Sequence, residues 1–189
     1  MRFGTTATLL VATLLVAGRS SAKDSPTDKR EKTRKMVSQT LADLYKLHPA
    51  AQGAIQKSAG YAVFSNLGVN LLLLSTARGS GLAVNSKSKQ ETFMKMISAG
   101  VGIGVGVKDF RVIFVFETEQ AMTKFINSGW DGSAQADAAA KAGKEGGAYS
   151  GATNVAPDVW VYQITKNGLV LQATLQGTKY YKDDDLNKS

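Results

Sequence analysis

The chain has 189 residues, no cysteine, one histidine and 23 Lys and Arg against 15 Asp and Glu, a net charge of +8. That length holds one domain with an ordinary core. The absence of cysteine excludes disulfides, thiolate chemistry and thiol-ligated zinc, and the single His48 excludes a multi-histidine metal site.

The first segment reads as an export signal. Arg2 supplies the charge, and Leu9 to Ala17 is an apolar stretch of h-region length, too short to span a bilayer. Ser20-Ser21-Ala22 is a small-x-small cleavage site. Leu15-Val16-Ala17-Gly18 has the form of a lipobox, but Arg19 stands where the lipidated cysteine would be, so a covalent anchor there is chemically excluded. The expected location is the periplasm or the outer-membrane periphery of a bacterium, after cleavage behind Ala22. Removing Arg2 and Arg19 takes the basic count from 23 to 21 against 15 acids and leaves a net charge of +6. Such a protein meets anionic head groups, anionic glycans or extracellular nucleic acid, and charge alone does not choose among them.

From residue 23 to 35 the chain is almost wholly polar, a basic arm in which Lys29, Arg30, Lys32, Arg34 and Lys35 crowd together. A single domain is expected over 36–187. Val37, Leu41 and Leu44 define one helical face, with Lys32, Lys35, Gln39 and Lys46 opposite. Arg30 and Arg34 extend the line of that stripe, so the helix is expected to leave the core before Val37. Pro49 ends it, His48 caps it, and Ala50 to Ser58 forms a second short helix before Gly60.

Tyr61 to Phe64 reads as a strand, Val69 to Leu74 as a buried strand or an apolar patch, and Arg78 to Val84 as a Gly-punctuated strand pairing with Glu91 to Ile97 across the polar turn Asn85 to Gln90. Gly100, Gly102, Gly104 and Gly106 then alternate with Val101, Ile103, Val105 and Val107, a strand with one bare face. The spacing is not the G-x-G-x-x-G of a dinucleotide loop, and the run that follows, Phe110 to Phe116, is a strand and not a helix start, so no cofactor is expected. A hairpin turned at Lys108-Asp109 would pair the two.

Thr118 to Asn127 is a helix with Thr118 as N-cap and Gly129 past its end. Asp131 to Tyr149 is Ala- and Gly-rich and fits helix or strand. Val159 to Thr165, Asn167-Gly168 and Leu169 to Leu175 form a hairpin, and the charged tail from Lys182 to Ser189 is expected to be mobile. The fold class is therefore α+β, with N-terminal helices on a Gly-rich, mostly antiparallel, barrel-like sheet and a further helix near 118–128.

No pair of acids forms a catalytic constellation, no ligand set forms a metal site, and Trp130, Trp160, Tyr162, Tyr180 and Tyr181 are spaced as core or edge residues, not as a base-stacking platform. Neither an enzyme nor a nucleic-acid partner is expected. The basic cluster is then read as a site for anionic lipid, since each basic residue near such a surface is worth about 1 kcal/mol. The alternative is a structural envelope protein that self-associates.

Several motifs in order carry a family resemblance: Gly60-Tyr-Ala-Val-Phe64, the Gly100 to Lys108 block, Phe114-Val-Phe116 leading into the Ala121 to Phe125 helix, Ser128-Gly-Trp130, Leu175-Gln-Gly-Thr178 and Asp185-Leu-Asn187. From Ala59 to Asn187 the chain resembles the SYLF domain family. The resemblance implies membrane-lipid binding, since eukaryotic relatives bind phosphoinositides and some bind actin. It also implies a peripheral, non-covalent membrane association here, because Arg19 replaces the lipidation cysteine.

Overall fold

The computed structural model describes residues 24–65, 76–99, 110–132, 149–165 and 178–188. In chain order these form α1 (Pro26–Leu47), α2 (Ala50–Lys57), β1 (Gly60–Ser65), β2 (Thr76–Asn85), β3 (Glu91–Ala99) and β4 (Phe110–Phe116). Then come α3 (Glu119–Ser128), β5 (Trp130–Asp131), β6 (Thr153–Ala156), β7 (Val159–Thr165), β8 (Thr178–Lys182) and a closing turn of helix, α4 (Asp184–Asn187). The strands make one curled, antiparallel half-barrel in the order β5-β8-β3-β2-β1-β4-β7-β6, with helices packed on it, the α+β architecture expected.

Strand alternation gives the sheet two buried faces. Ala62 and Phe64 of β1 point to one side with Phe114, Phe116, Met94, Met96 and Tyr180, where Met122 and Phe125 of α3 close over them. Phe114 meets Tyr180 edge-on at 4.9 Å and Trp130 edge-on at 5.3 Å. Val63, Leu82, Phe93, Ile113 and Tyr162 point to the other side, under Val37 and Leu44 of α1, Ile55 of α2 and Leu186 of α4. β2 is the strand on which glycine allows close approach: a Cβ on Gly81 would lie 2.1 Å from the Phe64 ring, and one on Gly79 would lie 2.4 Å from the carbonyl oxygen of Ser65.

The helix over 118–128 appears as α3, with the Thr118 hydroxyl accepting the Ala121 amide at 3.3 Å and Gly129 at φ 69°. His48 is the C-cap of α1, its ring 5.9 Å from that of Tyr162. Over Arg111 to Phe116 both edges of β4 are occupied, by β1 and by β7; the glycine-alternating block and the turn expected at Lys108-Asp109 lie outside the described residues.

The charged tail is ordered. Asp183 caps α4, Leu186 is buried, and the Asn187 amide holds both the N–H and the C=O of Phe93, at 2.9 and 2.7 Å. A side-chain amide that continues a strand's hydrogen bonding is not visible in a run of charges. The leader (1–22), Val69 to Leu74, Gly100, Gly102, Gly104 and Gly106, the Ala-rich stretch over 133–148, and the Asn167-Gly168 turn with its second strand lie outside the described residues.

Candidate anion-binding cleft

α1 begins at Pro26, well ahead of its apolar stripe. Ser25 and Asp28 form a capping box: the Ser25 hydroxyl accepts the Asp28 amide at 3.1 Å, and the Asp28 carboxylate accepts the Ser25 amide at 3.1 Å. The Ser25 hydroxyl also donates to the Asp28 carboxylate at 2.7 Å, and this bond, with that from the Ser25 amide, holds the Asp28 carboxyl below its ordinary value. The basic arm from Pro26 onward is thus part of the helix, and Thr33 is still buried, so the helix does not leave the core before Val37.

The five basic residues of the arm divide by what they touch. Arg30 reaches the closing helix, its Nε 2.8 Å from the Leu186 carbonyl and its Nη2 2.5 Å from that of Lys188, where the end of a helix favours a cation. Arg34 pairs with Glu91 of β3 at 2.8 Å, which holds its guanidinium further toward the charged form, and lies over the Phe93 ring at 5.2 Å. Lys32 bonds Asp24 at 2.7 Å, a contact that raises its pKa. Neither Lys29 nor Lys35 has a carboxylate partner among the described residues, and of the two only Lys29 faces the sheet.

Below the first turns of α1 the sheet changes character. The register aligns Ser65 with Ser80, Ser80 with Lys95, and Lys95 with Tyr181, a polar row across β1, β2, β3 and β8. The adjacent row on the same side is Val63, Leu82 and Phe93, the apolar floor of the core. Arg78 and Ile97 pair next beyond the polar row. Between the polar row and α1 lies a cleft of about 800 Å³, within the 300–1,000 Å³ common for ligand sites.

The helix side of the cleft is Lys29, Lys32, Thr33 and Met36, and its end wall is Asp183 and Leu186. Lys95 is compensated, bonding the buried Asp183 at 2.9 Å and lying 3.7 Å from Asp185. The Asp183 bond is the main cause holding its ammonium above the ordinary lysine value. Arg78 is exposed and has no carboxylate partner among the described residues. The four cations that line the cleft, Lys29, Lys32, Arg78 and Lys95, face two carboxylates, Asp24 and Asp183. Two positive charges are left over.

A second cavity of about 330 Å³ lies between α3 and the β6–β7 turn, where Asp158 at φ 61° accepts from the Thr118 hydroxyl at 3.1 Å; Lys124 is its one lining cation. Among the described residues no group of three His, Asp or Glu could hold a metal, and no helix is long and apolar enough to cross a membrane. Glu119, one of the acids at the strand-to-helix junction, accepts from Asn85 at 2.8 Å.

The structure thus brings Lys29 and Lys32 to the cleft and turns Arg30 and Arg34 to holding α4 and β3. Arg78, Ser80, Lys95 and Tyr181 join the cleft through the register of three strands, of which only the β2 to β3 hairpin is announced by local spacing. Their one sequence signal is that each occupies the helix-facing parity of its strand.

Residues 97–189 match the family model described as "Ysc84: Las17-binding protein actin regulator". The chain is also similar to "Beta cell expansion factor A" of Aeromonas veronii, 34% identical over 166 residues. That alignment covers 85% of this chain and 62% of the relative, so the chain spans less than two thirds of the relative's length. The matched stretch of the family model holds the Ile97, Tyr181, Asp183 and Leu186 side of the cleft.

Proposed function

That the chain belongs to the Ysc84 family, the SYLF domain, is the premise from which we propose that it is an exported, non-enzymatic module binding anionic phospholipid at a membrane periphery. The observation that carries this reading is the cleft under α1, where cations outnumber carboxylates beside apolar side chains of Met36, Ile97 and Leu186. Lys29 and Lys35, without carboxylate partners among the described residues, add surface attraction of about 1 kcal/mol each near an anionic bilayer. Actin regulation, named in the family description, needs a partner that an exported bacterial protein does not meet.

The test is co-sedimentation of the protein with neutral and anionic vesicles at low and high salt. The expected result is binding to anionic vesicles alone, weakening steeply as salt shortens the Debye length. Equal binding to neutral vesicles overturns the reading. No binding to either, with mass in solution that rises with concentration, favours the self-associating structural protein instead.

A further inference from the structure

Within the reading of an anionic ligand, on which this inference rests, we infer that the cleft seats a phosphate monoester, with Arg78 as its principal ligand and Lys29 as the second cation. The two stand on opposite walls, Arg78 on β2 and Lys29 on α1, and neither has a carboxylate partner among the described residues. The other two cleft cations are already neutralised, Lys32 by Asp24 and Lys95 by Asp183. Unpaired lysines and arginines are ordinary on open surfaces. Here they are the two uncompensated charges of one concave site, and the anion that balances them carries close to two negative charges.

A phosphate monoester carries about 1.5 to 2 negative charges at neutral pH and offers three terminal oxygens, whereas a diester carries one charge and two free oxygens. The arginine fork bonds two oxygens of such a group in one plane, and the lysine acts as a point charge on the third. The hydroxyls of Ser80 and Tyr181, in the polar row beside Arg78, supply neutral donors. A bilayer diester would leave one of the two cations without a counter-charge, so the seat discriminates by charge and by oxygen count. Monoesters reach it from two sources, a lipid head group such as phosphatidate or a soluble sugar or glycerol phosphate.

The full chain is titrated with phosphatidylcholine vesicles holding phosphatidate or phosphatidylglycerol at matched surface charge, and separately with glycerol 3-phosphate and dimethyl phosphate by calorimetry. The expected result is at least about tenfold tighter binding to phosphatidate, the scale of one charge-assisted bond. In Arg78→Gln the preference disappears and binding to both anionic vesicles weakens by the one lost charge, while the melting temperature stays unchanged, because Arg78 is exposed. Lys35→Gln, off the cleft, leaves the preference intact. The preference shrinks as pH falls through about 6, where a monoester takes up its second proton.

Equal binding to both anionic vesicles overturns the seat and leaves the lipid-module reading standing. Binding of glycerol 3-phosphate but of no vesicle, lost in Arg78→Gln, supports the seat with a soluble ligand and overturns the lipid module. Absence of binding in every arm overturns both.

Discussion

From Met36 to Leu47 the first helix buries Val37, Thr40 and Leu44 in one cluster with Val63, Leu82 and Phe93, whereas from Pro26 to Lys35 the same helix lies over Ser65, Ser80, Lys95 and Tyr181. The helix is continuous and its buried line unbroken from Thr33 to Leu44. What changes is the row of strand residues beneath it, apolar in one row and polar in the next on the same side. Apolar burial is thus concentrated at one end of the helix, and uncompensated positive charge at the other, with charged contacts to Glu91 and the α4 carbonyls holding the second end in place.

Four perturbations test that division, taken from the largest effect down. Leu44→Ala, at a side chain with no exposure, is expected to cost about 2–5 kcal/mol in denaturant unfolding while the folded fraction binds vesicles as before. A change in affinity per folded molecule would break the division. Gly81→Ala forces a methyl into the Phe64 ring and is expected to cost about 1–3 kcal/mol, again without changing affinity.

Asn187→Ala leaves the Phe93 N–H without its partner, while the Phe93 C=O keeps the Asp183 amide at 2.9 Å, and is expected to cost about 1–3 kcal/mol, with faster hydrogen exchange at the Phe93 amide. Because α4 forms the end wall of the cleft, this variant is expected to lose affinity as well, the one case in which the two ends of the comparison are coupled. Arg34→Gln removes an exposed pair with Glu91 and is expected to cost below about 1 kcal/mol, measured in a double-mutant cycle with Glu91→Gln.

A pH dependence sharpens the same contrast. The Arg111 guanidinium bonds Asp43 at 2.6 Å and holds that carboxyl below its ordinary value, so the pair stabilises the fold above the unfolded-state pKa of Asp43 and loses this contribution as pH falls through the lower folded-state value. The stability gap between the parent and Asp43→Asn is therefore expected to close between about pH 5 and pH 2. A gap that persists at the acid end would show that Asp43 acts by something other than its charge.

Most helices and strands were legible because their signals are local. Thr118 with Gly129, the Val37, Leu41, Leu44 stripe, and the β2 to β3 pairing around Asn85, whose side chain accepts the Lys87 and Ser88 amides at 3.0 and 2.8 Å, each fit within one turn or one hairpin. The docked tail was not legible, because Asn187 finds its partner 94 positions away. The cleft was half legible. A run of basic residues announced Lys29 and Lys32, while Arg78, Lys95 and Tyr181 sit on three strands whose alignment is set by register. In the same run Arg30 and Arg34 bond the α4 carbonyls and Glu91, contacts between distant elements that composition does not show.

The contacts from Arg30 to the carbonyls of Leu186 and Lys188 join residues 156 and 158 positions apart, almost the whole described span of the chain. Closing so long a loop is entropically costly, and contacts of this separation form late in folding. A nascent chain can assemble β1, β2 and the core under Leu44 while the end wall of the cleft is still missing. The cleft is then complete only once the last turn of helix has docked.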